Sequence, residues 1–301
     1  MFARISSIML ASAMLSLTGL RAHESAEHTL EHLNIELKKE RTPAHLYQRA
    51  LAYRSLGQLQ KAKPDLLEAI KLAPKNLGYR IELGSLELAA HNSDGALQSA
   101  TQAMPLATTP EQRAALHMLR AEAYHVSSKA KPSLQACQLA FKEKPKGEIE
   151  WFLLRSENQR VLKLHDQRIS NLKTGMELHP SAVLKAHWVD SMIDAGKFQD
   201  SLKIIDSELK DRRWKSDWQV KRARALYGLK QNAQAETALY SALAEIQQRL
   251  NPKRPDPLLL ADQGTAHALL GNRAAAQSCL DKLRRHRAAP WITSPLESLL
   301  K

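Results

Sequence analysis

The chain has 301 residues, of which 11 are glycine, with aromatics at 5% and charged residues at 25%. Scarce glycine with abundant Ala, Leu, Lys, Arg, Glu and Gln favours helix and disfavours a β-sandwich or a glycine-rich nucleotide-binding sheet; two cysteines exclude a disulfide-rich scaffold and a cysteine-based zinc ribbon. The formal net charge is +13, and residues 201–301 carry most of the surplus, a field that attracts anionic membrane, acidic protein or nucleic acid.

Arg4, the mostly apolar stretch from Ile5 to Leu20 and the small Ala22 read together as a secretory signal over residues 1–22, with His23 as the first mature residue. The apolar stretch is short for a bilayer span. The expected location is therefore the periplasm or the cell exterior, which makes nucleic acid the least suited of the three partners. Residues 23–42 follow as an amphipathic capping helix carrying Leu30, Leu33, Ile35 and Leu37. His28 and His32 share a helix face at i, i+4, and with His23 and a free amino group they offer a divalent-metal alternative. The plainer reading is a solvated polar face, so no metal and no cofactor are expected.

From Pro43 to Asn76 two apolar-periodic stretches are separated by Gly57 and closed by Pro74. Small residues stand at Ala50, Ala62 and Ala69, where two packed helices need close approach. Tyr53 and Leu66 supply bulk around them. Gly57 suits a left-handed helix end. Pro64 falls inside the second stretch, so that helix is expected to start late, near Ala62 or Lys63, or to bend.

These seven residues, Ala50, Tyr53, Gly57, Ala62, Leu66, Ala69 and Pro74, resemble the pattern of a tetratricopeptide repeat, the 34-residue helix–turn–helix unit. Similar units start near residues 77, 114, 149, 182, 216 and 257. The second has Leu83-Gly84, with Gly84 expected at a tight helix crossing, then Ala96, Ala100 and Ala103. The third follows a Thr108-Thr109-Pro110 helix start and places Pro132 harmlessly in a first turn. The fourth departs from the pattern by putting Arg168 at a small position, and the fifth by putting Val189 and Glu208 there. The sixth runs on to Leu250 before a proline-rich linker. The resemblance implies an all-α solenoid of about seven hairpins over residues 43–287. Residues 288–301 form a C-terminal cap in which Ser294 is expected to start a short last helix.

Catalytic signatures do not emerge. The glycines sit singly at repeat turns, no GxSxG elbow exists, and His165-Asp166 reads as a helix start rather than a general base. Cys137 and Cys279 lie four repeats apart and read as small buried residues. No enzyme is expected. The resemblance instead implies a concave face lined by first helices, which places Tyr47, Arg54, Ile81, Met118, Glu122, His125, Leu153, Glu157, Arg160, Asp190, Asp194, Arg224 and Tyr227 there. That set lacks the paired Lys and Asn with which some members grip a carboxylate. It implies a protein or peptide partner with basic and apolar side chains. The alternative is an accessory protein that binds metal through the N-terminal histidines, or an anionic membrane surface through the basic clusters at 212–215, 221–224 and 284–287.

Overall fold

The computed structural model describes residues 26–251, 254–286, 288 and 290–301. The expected signal segment and His23 lie outside the described residues. Helices follow one another in the order α1 (Ala26–Lys39), α2 (Pro43–Ser55), α3 (Leu59–Leu72), α4 (Leu77–Ala89), α5 (Ser93–Ala103), α6 (Pro110–Val126), α7 (Ala130–Glu143), α8 (Ile149–Val161) and α9 (His165–Leu178). They continue as α10 (Ala182–Asp194), α11 (Phe198–Asp211), α12 (Ser216–Gly228), α13 (Asn232–Arg249), α14 (Pro257–Leu269), α15 (Arg273–Arg285) and α16 (Pro290–Leu300). Among the described residues no strand forms. The fold is an all-α array of helical hairpins. Two compact units divide it: one holds residues up to 164 and 174–180, the other 165–173 and 181–301.

Within each unit the small side chains predicted at the crossings are buried. Ala50, Ala62, Ala69, Ala96, Ala100, Ala121, Ala140, Ala223, Ala235 and Ala276 are at most 1% exposed. Alanine lets the helix axes approach, and larger residues such as Leu66, Leu116, Leu226 and Leu239 fill the space beside them. Side-chain caps fix several helix starts. The Thr42 hydroxyl accepts from the His45 amide before α2, Thr109 and Gln112 form a reciprocal capping box before α6, and Asp256 accepts from two amides opening α14.

One backbone feature recurs in every hairpin. Gly57, His91, Ser128, Lys163, Gly196, Lys230 and Gly271 all adopt φ between +57° and +77°. Each sits in the turn between a first and a second helix. Glycine is suited to this conformation, but four of the seven turns use a residue with a Cβ, at a cost of about 1–2 kcal/mol each. Replacing Lys163 or Ser128 with glycine is therefore expected to stabilise its unit. Extra freedom in the unfolded chain offsets part of the gain, leaving about 0.5–1 kcal/mol, to be read from thermal melting of each single variant.

Two expectations of helix boundaries change. The helix carrying Pro64 does not start late; α3 begins at Leu59. The Gln58 carbonyl accepts from the Lys61 and Ala62 amides, and Leu59 packs against the cluster of Ala50, Ala62 and Leu66. That packing outweighs the one ladder bond that Pro64 cannot make. At the other end, Ser294 does not start the last helix. Proline at the first helical position, with its φ preset, starts α16 at Pro290. The departures in the fifth unit are accommodated: Val189 is wholly buried, and Glu208 accepts from Lys185 and Arg212.

Candidate functional site

Within each unit, first helices of successive hairpins touch one another. In the first unit α4 packs on α6 and α6 on α8; in the second, α10 packs on α12 and α12 on α14. Each unit therefore presents a face built from residues one repeat apart in sequence, and the residues expected on that face lie on these helices or on α2.

In the first unit, Tyr47 stacks beside Tyr79 with ring centroids 4.9 Å apart, and burial pushes its hydroxyl up to about 12. Arg54 pairs with Glu82 on α4. Burial pushes the Glu82 carboxyl up to about 7 against the pull of that guanidinium. Further along, His125 Nδ1 lies 3.2 Å from Asn158 Oδ1. The Asn158 amide is oriented from beneath: its Nδ2 donates to Ser133 Oγ at 2.7 Å and to the Leu154 carbonyl at 2.9 Å, and Ser133 donates to the Ala121 carbonyl. Asn158 and Ser133 are fully buried. With Asn158 Oδ1 left as an acceptor, Nδ1 of His125 is the ring nitrogen that donates to it. Glu157 and Arg160 form a forked pair within α8 at 2.6 and 2.8 Å.

The second unit holds a charge network. Asp190 accepts from Lys221 at 2.8 Å and from Arg224 at 2.6 Å. Arg224 also reaches Asp194 at 2.7 Å, whose other oxygen accepts from Arg168 at 2.6 Å. Arg168 is only 3% exposed. The arginine that broke the small-residue pattern is thus the buried end of a chain of ion pairs. Burial alone would raise the Asp190 carboxyl; Lys221 and Arg224 outweigh it and hold it well below the usual carboxylate range. Burial likewise opposes the Arg224 charge, and Asp190 and Asp194 overcome it. Asp262 on α14 has no such match. Burial pushes it up to about 7, helped by the charges of Asp217 and Asp190 and opposed by Lys221. Tyr227 is partly buried on the same face.

The expected site residues are therefore present, but their electrostatics differ from a row of open carboxylates. Asp190 and Asp194 are matched by cations of their own chain. Residues not expected on this face complete the arrangement: Glu82, Ser133, Asn158, Lys221 and Asp262. Only Arg168 announced itself in advance, as a charge at a small position.

Residues 46–76 match the family model of the tetratricopeptide repeat. A tetratricopeptide repeat protein from Parabacteroides merdae shares the fold at a TM-score of 0.63, with 18% identity over 86% of this chain and 98% of that one. The chain carries a tetratricopeptide repeat at residues 46–76 and has the fold of a tetratricopeptide-repeat array. YrrB, described as a tetratricopeptide-repeat protein with an unusual peptide-binding site, is similar at a TM-score of 0.51, with 14% identity over 60% of this chain and 91% of that one. The human FK506-binding protein-like protein is 37% identical over 68 residues, which is 22% of this chain. The matched stretch spans about a fifth of that protein's length, 20%.

The structure also places the other groups singled out in the sequence. Cys137 and Cys279 are free and buried, and burial pushes the Cys137 thiol up to about 12. His165-Asp166 opens α9. His28 and His32 lie on α1, and among the described residues no group of three or more His, Cys, Asp or Glu is placed to hold a metal ion. The basic clusters thin out once their partners are seen: Arg212 pairs with Glu208, Arg222 with Asp206 and Arg284 with Glu297. No helix among the described residues is long and apolar enough to cross a membrane.

Proposed function

We propose that the protein is an exported, non-catalytic scaffold that holds a segment of another protein against the faces formed by its first helices. The observation that carries this reading is the direct packing of first helix on first helix within each unit, which lines up side chains from successive repeats. His125 strengthens it. Its Nδ1 is committed to Asn158, which leaves Nε2 as the ring nitrogen for a polar group of a bound chain. A preference for basic segments loses its ground, because Asp190 and Asp194 already accept from Lys221, Arg224 and Arg168. Export rests on the basic start, apolar stretch and small Ala22 of the first 22 residues.

The test is site-specific photo-crosslinking in the cell that makes the protein. A crosslinker at Glu122 or Tyr227, on first helices, is expected to capture a discrete protein partner. One at the exposed Leu139 on α7, a second helix, is expected to capture none. Capture from Leu139 alone would overturn the reading. Cell fractionation with N-terminal sequencing, expected to begin at His23 outside the cytoplasm, tests export separately.

A further inference from the structure

Several cations of the second half make no ion pair with a described carboxylate, Lys230, Arg254, Arg273, Lys282 and Arg285 among them, and three more fall close together in sequence at one corner, the turn joining α11 to α12. Lys210, Arg213 and Lys215 make no ion pair with any described carboxylate, and Asp211 is the exposed carboxylate among them. Between them stands Trp214, 45% exposed. Its ring is flanked by two guanidinium groups, Arg213 at 4.9 Å and Arg249 at 4.5 Å from the centroid. The mount is rigid. Glu245 accepts from the Lys215 and Ser216 amides that open α12 and from Arg249, and Arg249 also reaches Ser216 Oγ. Arg212 turns the other way, lying over the buried Trp218 and pairing with Glu208. The indole thus stands exposed beside a helix start that Glu245 and Arg249 bind together.

We propose that this corner docks the protein onto an anionic phospholipid surface, with Trp214 entering the headgroup layer and Lys210, Arg213 and Lys215 facing lipid phosphates. Tryptophan prefers the membrane interface, where its apolar ring and polar N–H are both satisfied. Cations beside it add attraction to a negative leaflet, each about fivefold in partitioning. An acidic protein would use the cations but would not need an exposed indole held between two arginines, and this favours lipid over protein. The proposal is independent of the groove reading, since it uses none of the groove residues.

The experiment is co-flotation of the full mature chain with vesicles of phosphatidylglycerol mixed with phosphatidylcholine, and with phosphatidylcholine alone. The protein is expected to float with the anionic vesicles only, and less as salt rises. Reversing Lys210, Arg213 and Lys215 to Glu together should weaken partitioning by more than about a hundredfold. These side chains make no ion pair, and the variant gives up only the Arg213 contact with Trp214 and the Lys210 charge in the last turn of α11, so its circular dichroism should remain that of the folded helices. Trp214→Gln, a second variant that leaves every charge in place, should weaken flotation by roughly tenfold, and quenching by brominated lipid should disappear with it. Absence of flotation, flotation that survives the triple reversal, or unchanged quenching in Trp214→Gln would each overturn the proposal. So would tight binding of polyglutamate through the same cations with vesicles ignored, which would assign the corner to an acidic protein.

Discussion

Asp190→Ala is expected to destabilise the second unit by about 2–4 kcal/mol, because on a partly desolvated face it strands Lys221 and leaves Arg224 only Asp194 as counter-charge. The side chains of Asp190 and Lys221 are 19% and 16% exposed, so water recovers only part of the loss. Asp190→Asn should cost less, since its amide oxygen still accepts one hydrogen bond. The pH dependence carries two signs. Asp190 is held below its ordinary value of 3.8, so its contribution is fully present above that value and is lost as pH falls through the lower folded value. Asp262 behaves oppositely. It is raised from 3.8 to about 7, so between those values the folded state binds more protons than the unfolded one, and stability falls as pH rises through the window. Asp262→Asn is then expected to stabilise the unit at pH above about 7, by roughly 1–2 kcal/mol after allowance for solvent screening, with little effect below about 4. Hydrogen exchange of α10, α12 and α14 measured across this range reads both effects. A loss of protection in Asp262→Asn at alkaline pH would contradict the assignment.

Gly84→Leu is expected to cost the first unit about 3 kcal/mol by overpacking a closed crossing. A Cβ at this position would lie 2.5 Å from Leu119 Cδ2 and 3.3 Å from Ser99 Cβ. Ser99 belongs to the partner helix of the same hairpin and Leu119 to the first helix of the next. Both are buried, at 5% exposure each. Alanine there should be mild, because the end of the Leu119 side chain can shift and alanine gains about 1 kcal/mol in helix propensity over glycine. Leucine leaves no such escape. Repeats couple mainly to their neighbours, so protection should fall in α4 to α7 and persist in α14 and α15. Uniform loss along the chain, or none, would contradict this.

The hairpins were legible because their causes are local. Ala50, Ala62 and Ala69 recur where helices must approach, Gly57 permits the left-handed turn, and Thr109 and Gln112 cap a helix three residues apart. Each signal lies within one or two turns of the residues it governs. The turns at His91, Ser128, Lys163 and Lys230 were not legible as left-handed, because none has the glycine that permits φ near +60° without strain; packing of the two flanking helices imposes it. The start of α3 was misread for the same reason. Proline's penalty is visible in sequence, whereas the compensating burial of Leu59 comes from helices on either side.

The charges show the boundary most clearly. The sequence determined that Asp190, Asp194 and Arg224 fall on first helices, because a fixed repeat length sets which face each residue occupies. It also determined that Arg168 was anomalous, because a long cation stood where a small residue was due. Only the tertiary structure decided that these four residues, with Lys221, neutralise one another. Asp190 meets its two cations 31 and 34 residues away, across a boundary between repeats. Whether a carboxylate on such a face awaits a partner or already has one depends on the register and rotation of the next helix. Those are set by how buried alanines and leucines interlock, and no single repeat encodes that alone.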